Sequence, residues 1–247
     1  MKKKKIGVIT DIHGNLEALK AVLQLLDGEK CDEIIHTGDV VDIGPYSRQC
    51  LELLLSRNDV TLLLGNHDRD FVLNHAQTRN LSHVPTEHKQ QVFATMSDSQ
   101  RQIVKKFPLY VTRNCGKSTI AFTHYAFKPQ WKGMDEFPFM PIETEPTADK
   151  FDEIFAGLDS LNVDAVFFGH KHEPCDIMGK RLYVDVGSVG CHPAPFARAV
   201  IIDYDDSDWS YRRVAVPYDM DATHRAMSDH TVSGEQLYNF YFLRKKQ

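Results

Sequence analysis

Apolar and polar positions follow two rhythms along the 247 residues. Short apolar runs, "KIGVIT", "DEIIHT", "VTLLL" and "VDAVFFGH", read as buried strands. Between the first three, apolar residues recur at helical spacing. In "NLEALKAVLQLLD" they are Leu16, Leu19, Val22, Leu23 and Leu26, and Asn15 is placed as an N-cap. "PYSRQCLELLLSR" is a second helix with Pro45 near its start. Strands alternating with helices predict a parallel sheet with right-handed crossovers. Residues 69–107 read as a polar helical stretch. "LYVTRN" and "STIAFTH" then form a hairpin around Asn114 to Gly116, and a long aromatic and Pro-rich loop follows over residues 125–146. "ADKFDEIFAGLDSL" is a further helix. "RLYVDVGSVG", "RAVIIDY" and "SYRRVAV" read as a closing antiparallel set, and "SGEQLYNFYFLRKK" as an amphipathic tail helix. The fold class is α/β, with two packed sheets flanked by helices.

Composition narrows this picture only in places. At 42% hydrophobic and 26% charged, the chain can bury one sizeable core. Its net charge of −5 and pI of about 6.2 leave no basic excess for nonspecific nucleic-acid binding. The opening lysines imitate a signal peptide. The apolar run behind them is cut at Asp11, short of the roughly 7–15 residues an export signal needs. No stretch approaches the ~20 apolar residues of a membrane span. A cytoplasmic protein with no membrane partner is expected. The five cysteines, Cys31, Cys50, Cys115, Cys175 and Cys191, contain no CxxC pair and read as free thiols.

The chemistry lies at the strand ends. Asp11 and His13 follow the first strand, and Asp39 follows the second. Asn66, His67 and Asp68 follow the third, His124 the hairpin, and His170 and His172 the strand "VDAVFF". Parallel strands deliver such ends to one edge, where ligands bind. Carboxylate, amide oxygen and imidazole together suit borderline metals such as Mn, Fe or Zn. Seven candidate ligands are too many for one ion. They suit two ions about 3.5–4 Å apart, with Asp39, on a central strand, as the natural bridge.

In order, "DIHGN", "HTGDV", "LLGNHD" and "FFGHKH" resemble the signature of the calcineurin-like metallophosphoesterases, and "DVGSVG" is similar to that family's C-terminal Gly-Ser turn. The resemblance implies a four-layer α/β/β/α sandwich of two mixed sheets flanked by helices. It covers about residues 5–205, and the chain is read as a metallophosphoesterase domain over residues 1–216, with a helical insert near 69–107, and a C-terminal extension with an amphipathic helix over 217–247. It implies two transition-metal ions, with Mn favoured over Fe or Zn. Asp11, His13 and His172 would hold one, Asn66, His124 and His170 the other, and Asp39 both. A metal-bridging hydroxide would attack phosphorus, while His67 faces the substrate and helps the leaving oxygen depart. Asp42 resembles the acid that orients this histidine, although "DVVDIGP" also reads as a simple turn. The likeness is strongest to small bacterial phosphodiesterases, including those that cleave dinucleoside polyphosphates such as diadenosine tetraphosphate.

The sequence also departs from the pattern. Ile43 stands where the protein-phosphatase branch carries a phosphate-gripping Arg, which favours small phosphodiesters or nucleotides over phosphoproteins. The fourth motif reads "THYA", so Tyr125 is expected to line the site. Asn15, Trp131 and His192 complete the expected substrate contacts, with Trp131 stacking on a base. His36 reads as a core residue, and His75, His83 and His88 as solvated. Phosphomonoesterase activity, including protein phosphatase activity, and a non-catalytic scaffold are the alternatives. A nuclease would need a basic groove that the sequence lacks. The tail either covers the core or pairs with a second copy.

Overall fold

Asn15 caps the first helix as its sequence suggests. Its Oδ1 accepts the Ala18 N–H at 3.1 Å. The computed structural model describes residues 3–74, 84–230 and 232–243. His75, His83 and tail residues 244–247 lie outside them. In chain order the front half runs β1 (Lys4–Ile9), α1 (Leu16–Gly28), β2 (Glu33–His36), α2 (Ser47–Leu55) and β3 (Val60–Leu62). Three helices follow, α3 (Asn66–Leu73), α4 (Thr86–Ala94) and α5 (Asp98–Val104), then β4 (Tyr110–Cys115) and β5 (Ser118–Thr123). The rear half runs α6 (Ala148–Ile154), a 3₁₀ turn (Phe155–Leu161), β6 (Ala165–Phe168), β7 (Cys175–Met178), β8 (Leu182–Asp185), β9 (Phe196–Tyr204) and β10 (Trp209–Pro217). Helices α7 (Met220–His230) and α8 (Gly234–Leu237) and a π-helical turn (Tyr238–Phe242) close the described chain.

Two five-stranded mixed sheets form, ordered β10-β9-β1-β2-β3 and β4-β5-β6-β8-β7. Side-chain alternation along the strands builds the layers. Ile6 and Val8 on β1, Ile35 on β2 and Val200 and Ile202 on β9 point into the gap between sheets. There they meet Ile120 and Phe122 on β5, Phe167 on β6 and Val184 on β8. The intervening residues point outward: Ile9, Ile34 and Ile201 belong to the cluster that includes Leu19, Val22 and Leu26 of α1. On the far side Phe168 and Tyr183 pack their rings against Phe151 and Phe155. The expected four-layer α/β/β/α order therefore holds.

The closing strands differ from the sequence reading. β9 and β10 pair antiparallel with each other and β9 pairs antiparallel with β1, but β8 lies in the other sheet, parallel to β6. β7, unforeseen, pairs antiparallel with β8. Its exposure alternates weakly, so the four residues carry little pattern.

The loop leaving β8 is fastened to the loop leaving β1. The Ser188 hydroxyl donates to Asp11 O at 2.9 Å, Gly190 N–H to Asp11 O at 3.0 Å, and the Asn15 amide to Gly190 O at 3.0 Å. A Cβ on Gly190 would stand 1.8 Å from Ile12 O, so only glycine permits this approach. Gly190→Ala should therefore break these bonds, at ~1 kcal/mol each and about 3 kcal/mol in all, read as a lowered urea midpoint at unchanged slope.

Candidate metal centre

The loops after β1, β2, β3, β5 and β6 meet at one edge. Their backbones are bound together before any side chain contributes: Asp11 N–H donates to Gly38 O, His13 N–H to Asp39 O and Gly14 N–H to Val40 O, each at 3.0 Å. Much of this backbone is left-handed. Asp11, His13, Asp39, Asp42, Ile43, His170 and His172 all have φ between 48° and 75°. Such conformers are strained for residues with a Cβ and gather at functional sites. They also explain the D-x-H and H-x-H spacings: two left-handed residues flanking one neighbour put both side chains on the same side.

Two sets of polar atoms result. In the first, His13 Nε2 lies 3.1 Å from His172 Nε2, 3.5 Å from Asp11 Oδ1 and 3.8 Å from Asp39 Oδ2. His172 Nε2 is 3.3 Å from Asp11 Oδ1. In the second, His124 Nε2 lies 2.9 Å from Asn66 Oδ1, 3.0 Å from His170 Nδ1 and 3.2 Å from Asp39 Oδ2. Ligands bonded at about 2.1 Å stand about 3.0 Å apart around an octahedral ion and about 3.4 Å apart around a tetrahedral one. Both sets have those dimensions, and they share Asp39 Oδ2.

The unused valences point the same way. Asp11 Oδ2 accepts from the Thr10 hydroxyl at 2.7 Å and His170 N–H at 2.9 Å, while the buried Oδ1 accepts nothing. Asp39 Oδ1 accepts His67 N–H at 2.8 Å, while the buried Oδ2 accepts nothing. Each carboxylate thus presents one oxygen without a hydrogen bond to the centre. Buried polar atoms normally have partners, and a divalent cation satisfies this arrangement. The residues present fit two such ions.

Asp68 holds the frame. Its carboxylate accepts N–H groups from Asp39 at 2.7 Å, Val40 at 3.0 Å and Gly65 at 3.1 Å, tying the loop after β2 to the start of α3. Burial and the Asp39 charge push its pKa up to about 7. Gly65 leaves room for this: a Cβ there would stand 2.0 Å from Asp39 Oδ1. The sequence reading missed this role, although Asp at the third position of a helix that Gly precedes is a recognisable N-terminal signal.

His67 Nδ1 lies 2.8 Å from Asp42 Oδ2, so Asp42 sits where an orienting acid is needed. Burial pushes His67 down, and the Asp39 and Asp42 carboxylates more than reverse it, leaving the imidazole above its ordinary value. Burial pushes Asp42 up, and the His67 bond more than reverses that, holding the carboxyl low. Lys89 of α4, also missed, is buried against the pair. Its Nζ donates to Asp70 Oδ2 at 2.8 Å and lies 3.7 Å from Asp42 Oδ2.

Several expected contacts need correction. Asn15 does not face substrate: Ala18 N–H, the Thr223 hydroxyl and Gly190 O occupy its buried amide. Tyr125 is 1% exposed, its hydroxyl accepts Glu143 N–H at 2.9 Å, and its ring packs on Phe155, Phe168 and His170. It supports His170 from beneath. Trp131 turns back into its own loop, donating its indole N–H to Glu136 O at 2.9 Å, and packs on the core. The aromatic that reaches the centre from this loop is Phe139, edge-on to His124. His192 is half-buried at the rim, and its Nδ1 accepts Ala194 N–H at 3.1 Å. His88 is not solvated. Its two ring nitrogens lie 2.8 Å from Val232 O and Ile43 O.

The C-terminal extension covers this edge. Ile43, Cys191, Met227, Leu237, Tyr238 and Phe242 form one buried cluster, with Tyr241 packed against it. Burial raises the Tyr241 phenol, and the charges of Cys191, Asp42 and Asp39 add to the rise.

Comparisons with known proteins agree with this geometry. Residues 4–174 match the profile of the calcineurin-like phosphoesterases. An uncharacterised protein of Methanocaldococcus jannaschii is 25% identical over 236 residues, covering 89% of this chain and 90% of its own. A metallophosphoesterase from Sphaerobacter thermophilus superposes with a TM-score of 0.68 at 23% identity, covering 92% of this chain and 93% of its own. A hypothetical protein from Pyrococcus horikoshii superposes at 0.78 with 17% identity, covering 98% and 99%. These two share the fold. With more than half of its length matched by the family profile, the chain belongs to the calcineurin-like phosphoesterases, a membership that implies a phosphoester hydrolase with a dinuclear divalent metal site.

Proposed function

We propose that the chain hydrolyses small phosphodiesters or nucleotides, with Asp11, His13 and His172 holding one cation, Asn66, His124 and His170 a second, and Asp39 both. The observation that carries this is the single Asp39 oxygen, without a hydrogen bond of its own, shared by two sets of ligand-spaced atoms. Two divalent cations, when bound, would supply an acidified water and neutralise charge on the phosphate oxygens. Mn is the first choice, with Fe or Zn next.

The chain's own residues do the rest. Asp42 receives His67 Nδ1–H, which fixes the ring and leaves Nε2 on the opposite side, turned from the acid. Nε2 then gives its proton to the leaving oxygen as the phosphorus–oxygen bond breaks. The Asp39 and Asp42 carboxylates favour the protonated ring.

A diester is favoured over a monoester by what surrounds the dyad. Ile43 is buried in the apolar cluster and offers no cation for a terminal dianionic phosphate. Lys89, the nearest amine, is engaged by Asp70 and Asp42. The extension packs on Ile43 and Cys191 beside the site; among nucleotides, diadenosine tetraphosphate is the dinucleotide to try. The deciding assay takes metal-stripped protein, returns Mn, and compares an aryl phosphodiester, an aryl phosphomonoester and diadenosine tetraphosphate. Cleavage of a diester or the dinucleotide only with metal supports the proposal. Faster turnover of the monoester would replace it with a phosphomonoesterase, and no turnover with two bound cations would favour a scaffold.

Two variants test the assignments. Asp39→Asn retains an acceptor for His67 N–H but loses the shared anionic oxygen, so metal analysis should find both cations weakened together. Loss of only one would refute the bridge. His67→Ala should retain both cations and lower kcat by about 10²–10⁴-fold, as expected for removal of a general acid.

A further inference from the structure

We propose that the thiol of Cys191 is an additional donor to the first cation, joining Asp11, His13, Asp39 and His172 as a thiolate. The proposal rests on the dinuclear reading above and extends it to a residue outside the four strand-end motifs.

The geometry is specific. Cys191 Sγ, one nitrogen of His13 and one of His172 all lie within 4.8 Å of one another. The buried Asp11 Oδ1, with no hydrogen bond of its own, stands 3.5 Å from His13 Nε2 and 3.3 Å from His172 Nε2, aimed at the same point. The thiol is 1% exposed. Its backbone is fixed to the frame that carries Asp11: Cys191 N–H donates to Ser188 Oγ at 2.8 Å, and that hydroxyl donates to Asp11 O at 2.9 Å. The loop after β8 thus ties the backbones of Asp11 and Cys191 together through the Ser188 hydroxyl.

The alternative is packing alone, since Cys191 also fills the apolar cluster beside Ile43 and Tyr238. An alkyl side chain would serve that purpose equally well. It would not place a soft donor beside two imidazole nitrogens and an unsatisfied carboxylate oxygen. On coordination the sulfur–hydrogen bond is exchanged for a sulfur–metal bond, and the proton leaves to solvent. A thiolate would bias this position toward Zn, Fe or Co and away from Mn, so the two positions would differ in metal preference.

The test uses cobalt as probe. Stripped full-length protein and its C191S variant are titrated with Co(II) and followed by absorption. The wild type should show a near-ultraviolet sulfur-to-cobalt charge-transfer band above the visible ligand-field bands. C191S should lose the first and keep the second, and its zinc affinity, measured by chelator competition, should fall by roughly tenfold or more. X-ray absorption of the zinc-loaded wild type needs no variant, and should show a sulfur neighbour at about 2.3 Å. Ligand-field bands without charge transfer, a charge-transfer band that survives in C191S, or a zinc shell of nitrogen and oxygen alone would overturn the proposal while leaving the dinuclear site intact. Absence of any bound cobalt would overturn the dinuclear reading and this proposal together.

Discussion

The site depends on how the Asp39 carboxylate divides its two oxygens. Oδ1 is fixed by the backbone N–H of His67. Oδ2 faces both ligand sets without a hydrogen bond of its own. A rotation of this one side chain would separate the two sets and loosen the start of α3. The surroundings prevent it. Asp68 fixes the Asp39 backbone, and the missing side chain of Gly65 gives the carboxylate its only room. The bond to Oδ1 also sets where His67 begins, so the spacing of the two ligand sets and the position of the His67–Asp42 pair depend on one interaction.

That arrangement carries strain. Seven left-handed residues at the edge, at about 1–3 kcal/mol each, amount to about 7–21 kcal/mol, of the order of the net stability of a whole domain. Buried carboxylates and imidazoles add desolvation. The compensation is local and distant. Locally, the loops after β1 and β2 continue to pair beyond the strands, and the loop after β8 is fastened to Asp11. At a distance, two apolar layers on either side of the paired sheets supply the stability the edge lacks. Cations that bind only the folded chain would add to it in proportion to their occupancy.

Sequence patterns revealed the framework because period and topology are local properties. The first three strands and two helices follow from apolar spacing, and convergence of Asp11, Asp39, Asn66, His124 and His170 follows from parallel strands ending at one edge. What escaped depends on distant partners. Asn15 carries the same side chain whether it caps a helix or meets a substrate; three partners far apart in sequence, at positions 18, 190 and 223, decide for the cap. Tyr125 looked like a site residue because it follows His124. Its ring instead packs into the core against Phe155 and Phe168, with His170 on top of it, and its hydroxyl is taken by Glu143 N–H. β8 could not be assigned to its sheet because an apolar strand of four residues suits either. The left-handed conformers at Asp11 and His13 leave no trace in composition beyond the tolerance of Asp and His for them.

The insert and the extension both pack against the turn that carries Asp42. Neither contributes a candidate ligand from the strand-end motifs, yet His88 of the insert reaches both Ile43 O and Val232 O, and so joins the turn behind Asp42 to the extension. Thr223 of the extension reaches Asn15 on the loop after β1. Three segments far apart in sequence are therefore tied together through His88 and Thr223. The turn that carries Asp42 is thereby held from outside the strand-end motifs, and the apolar cluster that buries Ile43 and Cys191 fixes the same turn to α7 and α8.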